Sequence, residues 1–393
     1  MKRVLFFFPV NPIEKNAGNR TRALNLLKYF SERGIMVDYI AERHWGTFTP
    51  ENIAMLKQSG LVQDVRMLER KPVKKNAVKY FFNYKIPNKL FLRKLKLREG
   101  SIPNRLTLQL RREFDQILTE RHYDYILISY AYWADLIFDN PLTHNSVTII
   151  DTHDLLSSLH QRDEGFDKST ALSDELRRLA LFDQVWAISP DEMYFFSQFL
   201  EGSVKHIPVV VDTPPVVSPL PEKEYDLIYV ATDNNSNLLS ADWFFKKVYP
   251  LLPEYIRICV IGTIGSHVPA GLKNVTVIPF VESLHTYYFR SKIAICPMLA
   301  GTGVKVKVVE ALSHGLPVVC TERGMDGLPD KSNNGCLLVE NEQQFADGIQ
   351  ELLHNNAFYE EQSRMAKDTF RQHFSEEQVY RKLDTALNIN SGH

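Results

Sequence analysis

Apolar and polar positions follow two rhythms along the chain. Short apolar runs, KRVLFFF near the start and then VDYIAE, YDYILISY, SVTIID and QVWAIS, have the length of buried strands. Between them, segments such as NRTRALNLLKYFSERG carry apolar residues at three- and four-residue spacing, as a helix with one buried face does. Strand and helix in alternation predict parallel strands joined by helices, an α/β domain. The series stops at PPVVSPLPEKE, where Pro214, Pro215, Pro219 and Pro221 crowd together. It begins again with YDLIYVA, IRICVIG, VTVIPF, KIAICPM, LPVVCT and GCLLVE. A boundary in the region 206–223 therefore separates two doubly wound, Rossmann-like domains, residues 1–205 and 206–375, and a closing helical segment, 376–393, is expected to pack back on the first domain. In open sheets of this kind ligands bind beyond the carboxyl ends of the strands. Polar residues just after strands therefore carry most weight, and the cleft between domains is the expected site.

With 393 residues the chain is long enough for two cores, and 44% hydrophobic content fits a globular protein. A net charge of -1 excludes the broad basic field of a general nucleic-acid binder, so any positive patch is local. MKRVLFFFPV is too short an apolar run for a signal peptide and is interrupted by Pro9; it reads as a first, buried strand. No stretch approaches the roughly 18 apolar residues of a membrane span. The four cysteines lie in RICVI, AICPM, PVVCT and GCLLV, without metal-ligand spacing, and read as core thiols of a reducing, cytoplasmic compartment. One segment breaks the pattern. Residues 71–98, KPVKKNAVKYFFNYKIPNKLFLRKLKLR, contain lysine and arginine but no acid, with Tyr80, Phe81, Phe82, Tyr84 and Phe91 interleaved. Its readings are a solvated insertion, contact with an anionic membrane surface or a lipid diphosphate acceptor, or a surface for single-stranded nucleic acid, a partner not expected for the chain as a whole.

The most specific chemistry sits in GTGVKVKVVEALSHGLPVV, residues 301–319. A helix start carries partial positive charge and free NH groups, so Lys305 and Lys307 have the wrong sign for it unless an anion is held there. Phosphate satisfies glycines, NH groups and lysines together. On a helix beginning near Val304, Lys307, Glu310 and His314 share a face, while Lys305 points to the helix mouth or to solvent. A nucleoside diphosphate would place its phosphates on Gly301, Thr302, Gly303 and Lys307, and its ribose hydroxyls on the Glu310 carboxylate. The alternative is a glycine turn before an ordinary amphipathic helix. A second basic helix start follows the first strand, in NPIEKNAGNRTRALNLL, with Gly18 and Asn19 at the start and Arg20 and Arg22 in the first turn.

The 301–319 segment resembles the donor-binding segment of retaining GT-B glycosyltransferases of the group 1, family 4 class. AGNRTRALNLL, IIDTHDLLS, VWAIS, NNSNLLSADWFF and FSEEQVYRKLDTAL extend the likeness through nearly the whole chain. The resemblance implies transfer of a sugar from a nucleotide sugar to a hydroxyl of a glycan or lipid-linked acceptor, with retention and with neither cofactor nor obligatory metal. It also implies surface polysaccharide or glycolipid synthesis at the cytoplasmic, inner face of a membrane. Carried over residue by residue, Glu310 holds the donor ribose and Lys307 a phosphate, and the Gly18 loop, with Asn19 and Arg20, approaches the diphosphate. His153 orients the transferred sugar. Two departures stand out: Thr302 occupies the place of the first of two family glutamates, and the usual basic pair is missing from VATDNNSN, where Asn237 is left to orient the loop. Tyr130, Tyr132 and Trp133 in SYAYWAD line an acceptor groove or belong to the core. A nucleotide-sugar epimerase or hydrolase on the same fold, and a catalytically silent binding subunit, remain alternatives. A dinucleotide oxidoreductase is disfavoured, since VLFFFPVNP lacks the G-x-G-x-x-G turn.

Overall fold

Two separate parallel sheets organise the chain in the computed structural model, which describes residues 1–14, 18–45, 48–95, 101–160, 165–219 and 221–389. They belong to two units, Met1–Ile207 and Pro208–His393. Residues 15–17, which precede the Gly18 helix, and residue 220 of the proline-rich segment lie outside the described residues.

In the first unit the described strands are β1 (Arg3–Phe7), β2 (Met36–Glu42), β3 (Asp64–Leu68), β4 (Tyr125–Ser129), β5 (Val147–Asp151), β6 (Gln184–Ala187) and β7 (Ser203–His206), in the order β3-β2-β1-β4-β5-β6-β7. Val4 to Phe8 are fully buried. A strand covered by helices on both faces has no polar side to show, hence the unbroken run VLFFF where an exposed sheet would alternate. The chain steps outward from β1 to β3, then returns to the other flank of β1 as β4. The loops leaving β1 and β4 thus diverge and open a crevice at the carboxyl end of the sheet. The sequence pattern misses β3 and β7, the two outer strands; DVRML and SVKH are mostly half-buried and carry no apolar run.

The second unit repeats the plan with β8 (Tyr225–Val230), β9 (Ile258–Ile261), β10 (Val275–Ile278), β11 (Ser291–Cys296), β12 (Val318–Cys320) and β13 (Cys336–Leu338), ordered β10-β9-β8-β11-β12-β13. One face is covered by the helices Val306–Ser313 and Asn356–His373, through Val308, Ala311, Leu312, Ala366 and Phe370. The opposite face packs against Asn235–Trp243 and Glu342–His354, through Ala241, Phe345, Ala346 and Ile349. Here the direction of winding reverses between β8 and β11. Cys259, Cys296, Cys320 and Cys336 lie one to a strand in β9, β11, β12 and β13, and all are free thiols. Among the described residues no helix is long and apolar enough to cross a membrane.

Candidate functional site

The crevice between β8 and β11 gathers the residues of the 301–319 segment. Gly301 and Gly303 have φ of 100° and 71°, the left-handed region that side chains with a Cβ rarely enter, so both glycines are demanded by the backbone. The helix starts at Val306, with Lys305 in the capping position. Lys305 does not point to solvent; it turns back into the glycine turn at the start of the helix. It is 8% exposed, and its Nζ donates to the carbonyls of Thr302 (3.1 Å) and Gly303 (2.7 Å). A buried ammonium needs acceptors, and the glycine turn supplies two carbonyls, with the Asp326 carboxylate 3.6 Å away.

Lys307 reaches across the crevice. Its Nζ donates to Asn237 Oδ1 at 3.0 Å and lies 3.8 Å from Met298 Sδ, and burial pushes its pKa down. Asn237 does more than orient a loop. It lies in the first turn of the Asn235–Trp243 helix, whose cap Asn234 accepts from the Asn237 backbone NH at 2.9 Å, while its own Nδ2 donates to Thr232 Oγ1 at 3.3 Å. The starts of two helices, on opposite faces of one sheet, therefore meet at a single lysine. Met298 also walls a cavity of about 620 Å³ with Trp243, Leu299, Thr321 and Arg323, a size suited to a small ligand.

One turn further along, the Glu310 carboxylate accepts from Tyr288 Oη at 3.2 Å, and burial pushes its pKa up to about 7 against the opposing pull of Tyr288 and Lys307. His314 completes the face, its Nδ1 2.7 Å from the Glu310 carbonyl and its Nε2 2.9 Å from His285 Nδ1; its ring stacks on Tyr288 at 4.8 Å. Burial drives the His314 pKa down to about 4. Tyr288 and His285 escaped the sequence reading because HTYYF resembles any core-facing helix. Only the polar ends of its rings distinguish it.

In the first unit the β1/β4 crevice is bridged by Asn19, whose Nδ2 donates to Tyr130 Oη at 2.8 Å. Gly18 opens the Gly18–Glu32 helix as expected from the pattern. The two arginines of its first turn do not form a free cationic mouth. Arg20 is paired with the Glu14 carboxylate. Arg22 is 2% exposed and grips Asp151 through Nε (2.9 and 3.0 Å) and Nη2 (2.6 Å), with Nη1 on the Ile207 carbonyl at 2.8 Å. A buried guanidinium must be paired, and Asp151 at the end of β5 is the partner within reach. Burial alone would raise the Asp151 carboxyl, but Arg22 and His153 outweigh it and hold it well below the usual range.

His153 is 4% exposed, with Nε2 3.1 Å from Asp151 Oδ2. Its ring lies nearly parallel to Tyr130, centroids 4.3 Å apart at 14°. Both residues have positive φ, 61° for His153 and 68° for Tyr130, and such conformations tend to mark functional turns. Of the other two acceptor candidates, Trp133 is fully buried and donates from Nε1 to Glu42 Oε2 at 2.9 Å, a core residue and no part of a groove. Tyr132 is 7% exposed and hydrogen-bonds His160 Nε2 at 2.6 Å. The aromatic surface beside them belongs to Trp45, 38% exposed, which carries the Arg105 guanidinium 4.5 Å over its ring. Its sequence signal was a lone tryptophan in the polar loop just after the VDYIAE strand.

Residues 224–355, inside the second unit, match the family described as glycosyl transferases group 1. A curated relative, an uncharacterized 44.6 kDa protein in the cps region of Klebsiella pneumoniae, is 25% identical over 166 residues, which span 36% of this chain and 42% of that protein. Among solved structures, the sucrose-phosphate synthase of Thermosynechococcus elongatus superposes with a TM-score of 0.69 at 14% identity, covering 99% of this chain and 98% of that one. HepE of Anabaena, solved in complex with UDP-glucose, gives 0.67 at 14% identity, covering 99% and 100%. TarM gives 0.67 at 13% identity, covering 99% of each chain. The architecture is the GT-B fold.

Proposed function

We propose that the chain is a glycosyltransferase that moves a sugar from a nucleoside diphosphate sugar to a hydroxyl acceptor, with retention at the anomeric carbon. The observation that carries this reading is the Asn237–Lys307–Glu310 arrangement at the winding reversal of the second sheet, within the segment that matches the transferase family. The glycine turn and the Lys307 ammonium suit a diphosphate, and the Glu310 carboxylate suits the two hydroxyls of a ribose.

In this scheme the protein accelerates the reaction by meeting the charge that grows on the departing diphosphate, which Lys307 and preorganised NH dipoles do without rearranging. The same diphosphate takes the acceptor proton on the face that the sugar leaves. No protein nucleophile and no cofactor enter the scheme. Thr302 offers the transferred sugar a hydroxyl where related enzymes offer a carboxylate. In the first unit, the Tyr130–His153 stack and the exposed Trp45 ring are proposed to receive the acceptor, with His153 orienting the sugar. The relative in a cps region supports a surface polysaccharide as product, and the cytoplasmic face of the membrane is proposed as the place of synthesis.

Titration with UDP and GDP, followed by turnover of the matching labelled nucleotide sugars, tests the proposal. Glu310→Ala is expected to abolish transfer while circular dichroism stays that of the wild type; wild-type-like transfer by the variant refutes the assignment. Thr302 favours one second reading, a silent binding subunit, and an absence of binding to either nucleotide would select it.

A further inference from the structure

The basic, aromatic segment after β3 is not absorbed by the transfer chemistry; 96–98 of it lie outside the described residues. From Ala77 to Lys94 the chain runs as one helical rod, Ala77–Tyr80, then a π-helical turn Phe81–Lys85, then Ile86–Lys94, capped at its start by the Asn76 side chain. One side of the rod is tied to the first unit. Tyr84 is buried and its hydroxyl donates to the Arg70 carbonyl at 3.1 Å, Asn88 Oδ1 accepts from the Leu108 NH at 2.8 Å, and Phe91, Leu92 and Leu95 join the core.

The opposite side is apolar as well. Val78 is 66% exposed, Phe81 46%, Phe82 61%, Ile86 38% and Leu90 54%. The wider π-helical turn lets Phe81 and Phe82 both face outward, edge to face at 5.4 Å. Lys85, Lys89 and Arg93, all exposed, stand three positions beyond Phe82, Ile86 and Leu90, so each cation flanks an apolar side chain on the helix surface. Lys71, Lys74, Lys75, Lys79 and Lys94 add to the same sign, and residues 71–94 contain no Asp or Glu.

A solvated face would not carry five large apolar side chains, and a protein partner of mixed charge would not call for cations alone. We infer that this rod lies in the interface of an anionic lipid surface, with Val78, Phe81, Phe82, Ile86 and Leu90 among the acyl chains and the lysines on lipid phosphates. Aliphatic residues form most of the stripe, which favours acyl chains over the base stacking that single-stranded nucleic acid would use. The inference stands apart from the transfer reaction, since lipid binding is scored without turnover.

The test is sedimentation of the full chain with vesicles of phosphatidylcholine alone or mixed with phosphatidylglycerol. The chain is expected to follow the phosphatidylglycerol vesicles and to be released by salt. A Phe82→Ser/Leu90→Ser variant should lose at least tenfold in vesicle affinity, and Lys85→Glu and Lys89→Glu about fivefold each or more. Far-ultraviolet circular dichroism and melting temperature like those of the wild type show that the variants remain folded. Failure to bind the mixed vesicles, binding unchanged by these variants, or capture by oligo(dT) in place of vesicles would each overturn the proposal.

Discussion

The Lys307 ammonium donates to Asn237 Oδ1 at 3.0 Å and so joins the loops that leave β8 and β11 on opposite faces of the second sheet. A neutral amide leaves the lysine its charge; a carboxylate there would cancel it. Asn237→Asp should therefore weaken UDP or GDP binding by tenfold or more with the melting temperature little changed. Lys307→Met should slow transfer on the order of a hundredfold, about the 3 kcal/mol associated with one preorganised charge donor. Calorimetric titration and initial rates check the two separately, and an Asn237→Asp protein that binds nucleotide as tightly as the wild type would remove the lysine from the phosphate site.

Glu310 gives the site a pH dependence of definite sign. Its carboxyl ionises at about 7 in the folded chain, and the ionised form is the one that accepts two hydroxyl protons. Nucleotide affinity should fall as the pH drops below about 7, and Glu310→Gln should bind more weakly but without that component. The ratio of wild-type to variant affinity removes the titration of the nucleotide itself.

Stability runs the other way. The unfolded carboxyl ionises near 4.5 and the folded one near 7, so unfolding releases a proton between those values. The stability this represents is present below 4.5 and lost as the pH rises through about 7. Replacing the acid by Gln should stabilise the protein at pH 8 by roughly 3 kcal/mol more than at pH 4, an order-of-magnitude figure from the shift. Melting curves at the two pH values measure the difference. His314, pushed down to about 4 by burial, has the opposite sense and loses stability as the pH falls from 6.5 toward 4, so the comparison is made between Glu310→Gln and wild type at each pH.

What the sequence revealed follows from which forces have a local signature. Buried parallel strands announce themselves because both faces exclude water, which is why LFFF and CVI were legible while the edge strands DVRML and SVKH were not. The glycines at 301 and 303 and the Lys307–Glu310 face were legible for a similar reason: left-handed backbone and helical spacing are local. The partners of charged residues are not. Nothing near Arg22 in the sequence points to Asp151, 129 positions away, and nothing near Lys305 shows that its ammonium turns back onto the carbonyls of its own loop. Trp133 failed as a groove residue because one aromatic after a strand looks like another until the Glu42 carboxylate is found under its indole.

The Arg22–Asp151 pair predicts a structural phenotype distinct from the catalytic ones. Both side chains are buried, so Arg22→Met strips the Asp151 carboxylate of its guanidinium and leaves it in the core with only the His153 ring beside it. Such losses typically amount to 3–5 kcal/mol. Asp151 is held below its usual range, so this contribution is present at neutral pH and fades in acid. Arg22→Met should melt well below the wild type at pH 7, with the gap narrowing toward pH 3. Arg22→Met/Asp151→Asn, which removes both charges, should recover part of the loss; equal melting of single and double variants would show that the charge pairing is not what holds Arg22.

Tyr130 and His153 end adjacent strands, β4 and β5, both at positive φ and with their rings stacked. Tyr130 has φ 68° and ψ 135°, a region that a residue with a Cβ enters at a cost of order 1–3 kcal/mol. The fold keeps it there through the Asn19 hydrogen bond and the imidazole stack. If the turn exists to present His153 to a substrate, relaxing it should trade activity for stability. Tyr130→Gly relieves the backbone but removes the stack; Tyr130→Phe keeps the stack and removes only the Asn19 bond. Transfer should fall steeply in the glycine variant, with melting temperature dropping by less than loss of a half-buried tyrosine alone would produce, and should fall by less than tenfold in the phenylalanine variant. His153→Ala should resemble Tyr130→Gly in activity while leaving nucleotide affinity intact, because the donor phosphates are assigned to the second unit. Loss of UDP or GDP binding in His153→Ala would contradict that division of labour, and full activity in Tyr130→Gly would reduce the strained turn to an accident of packing.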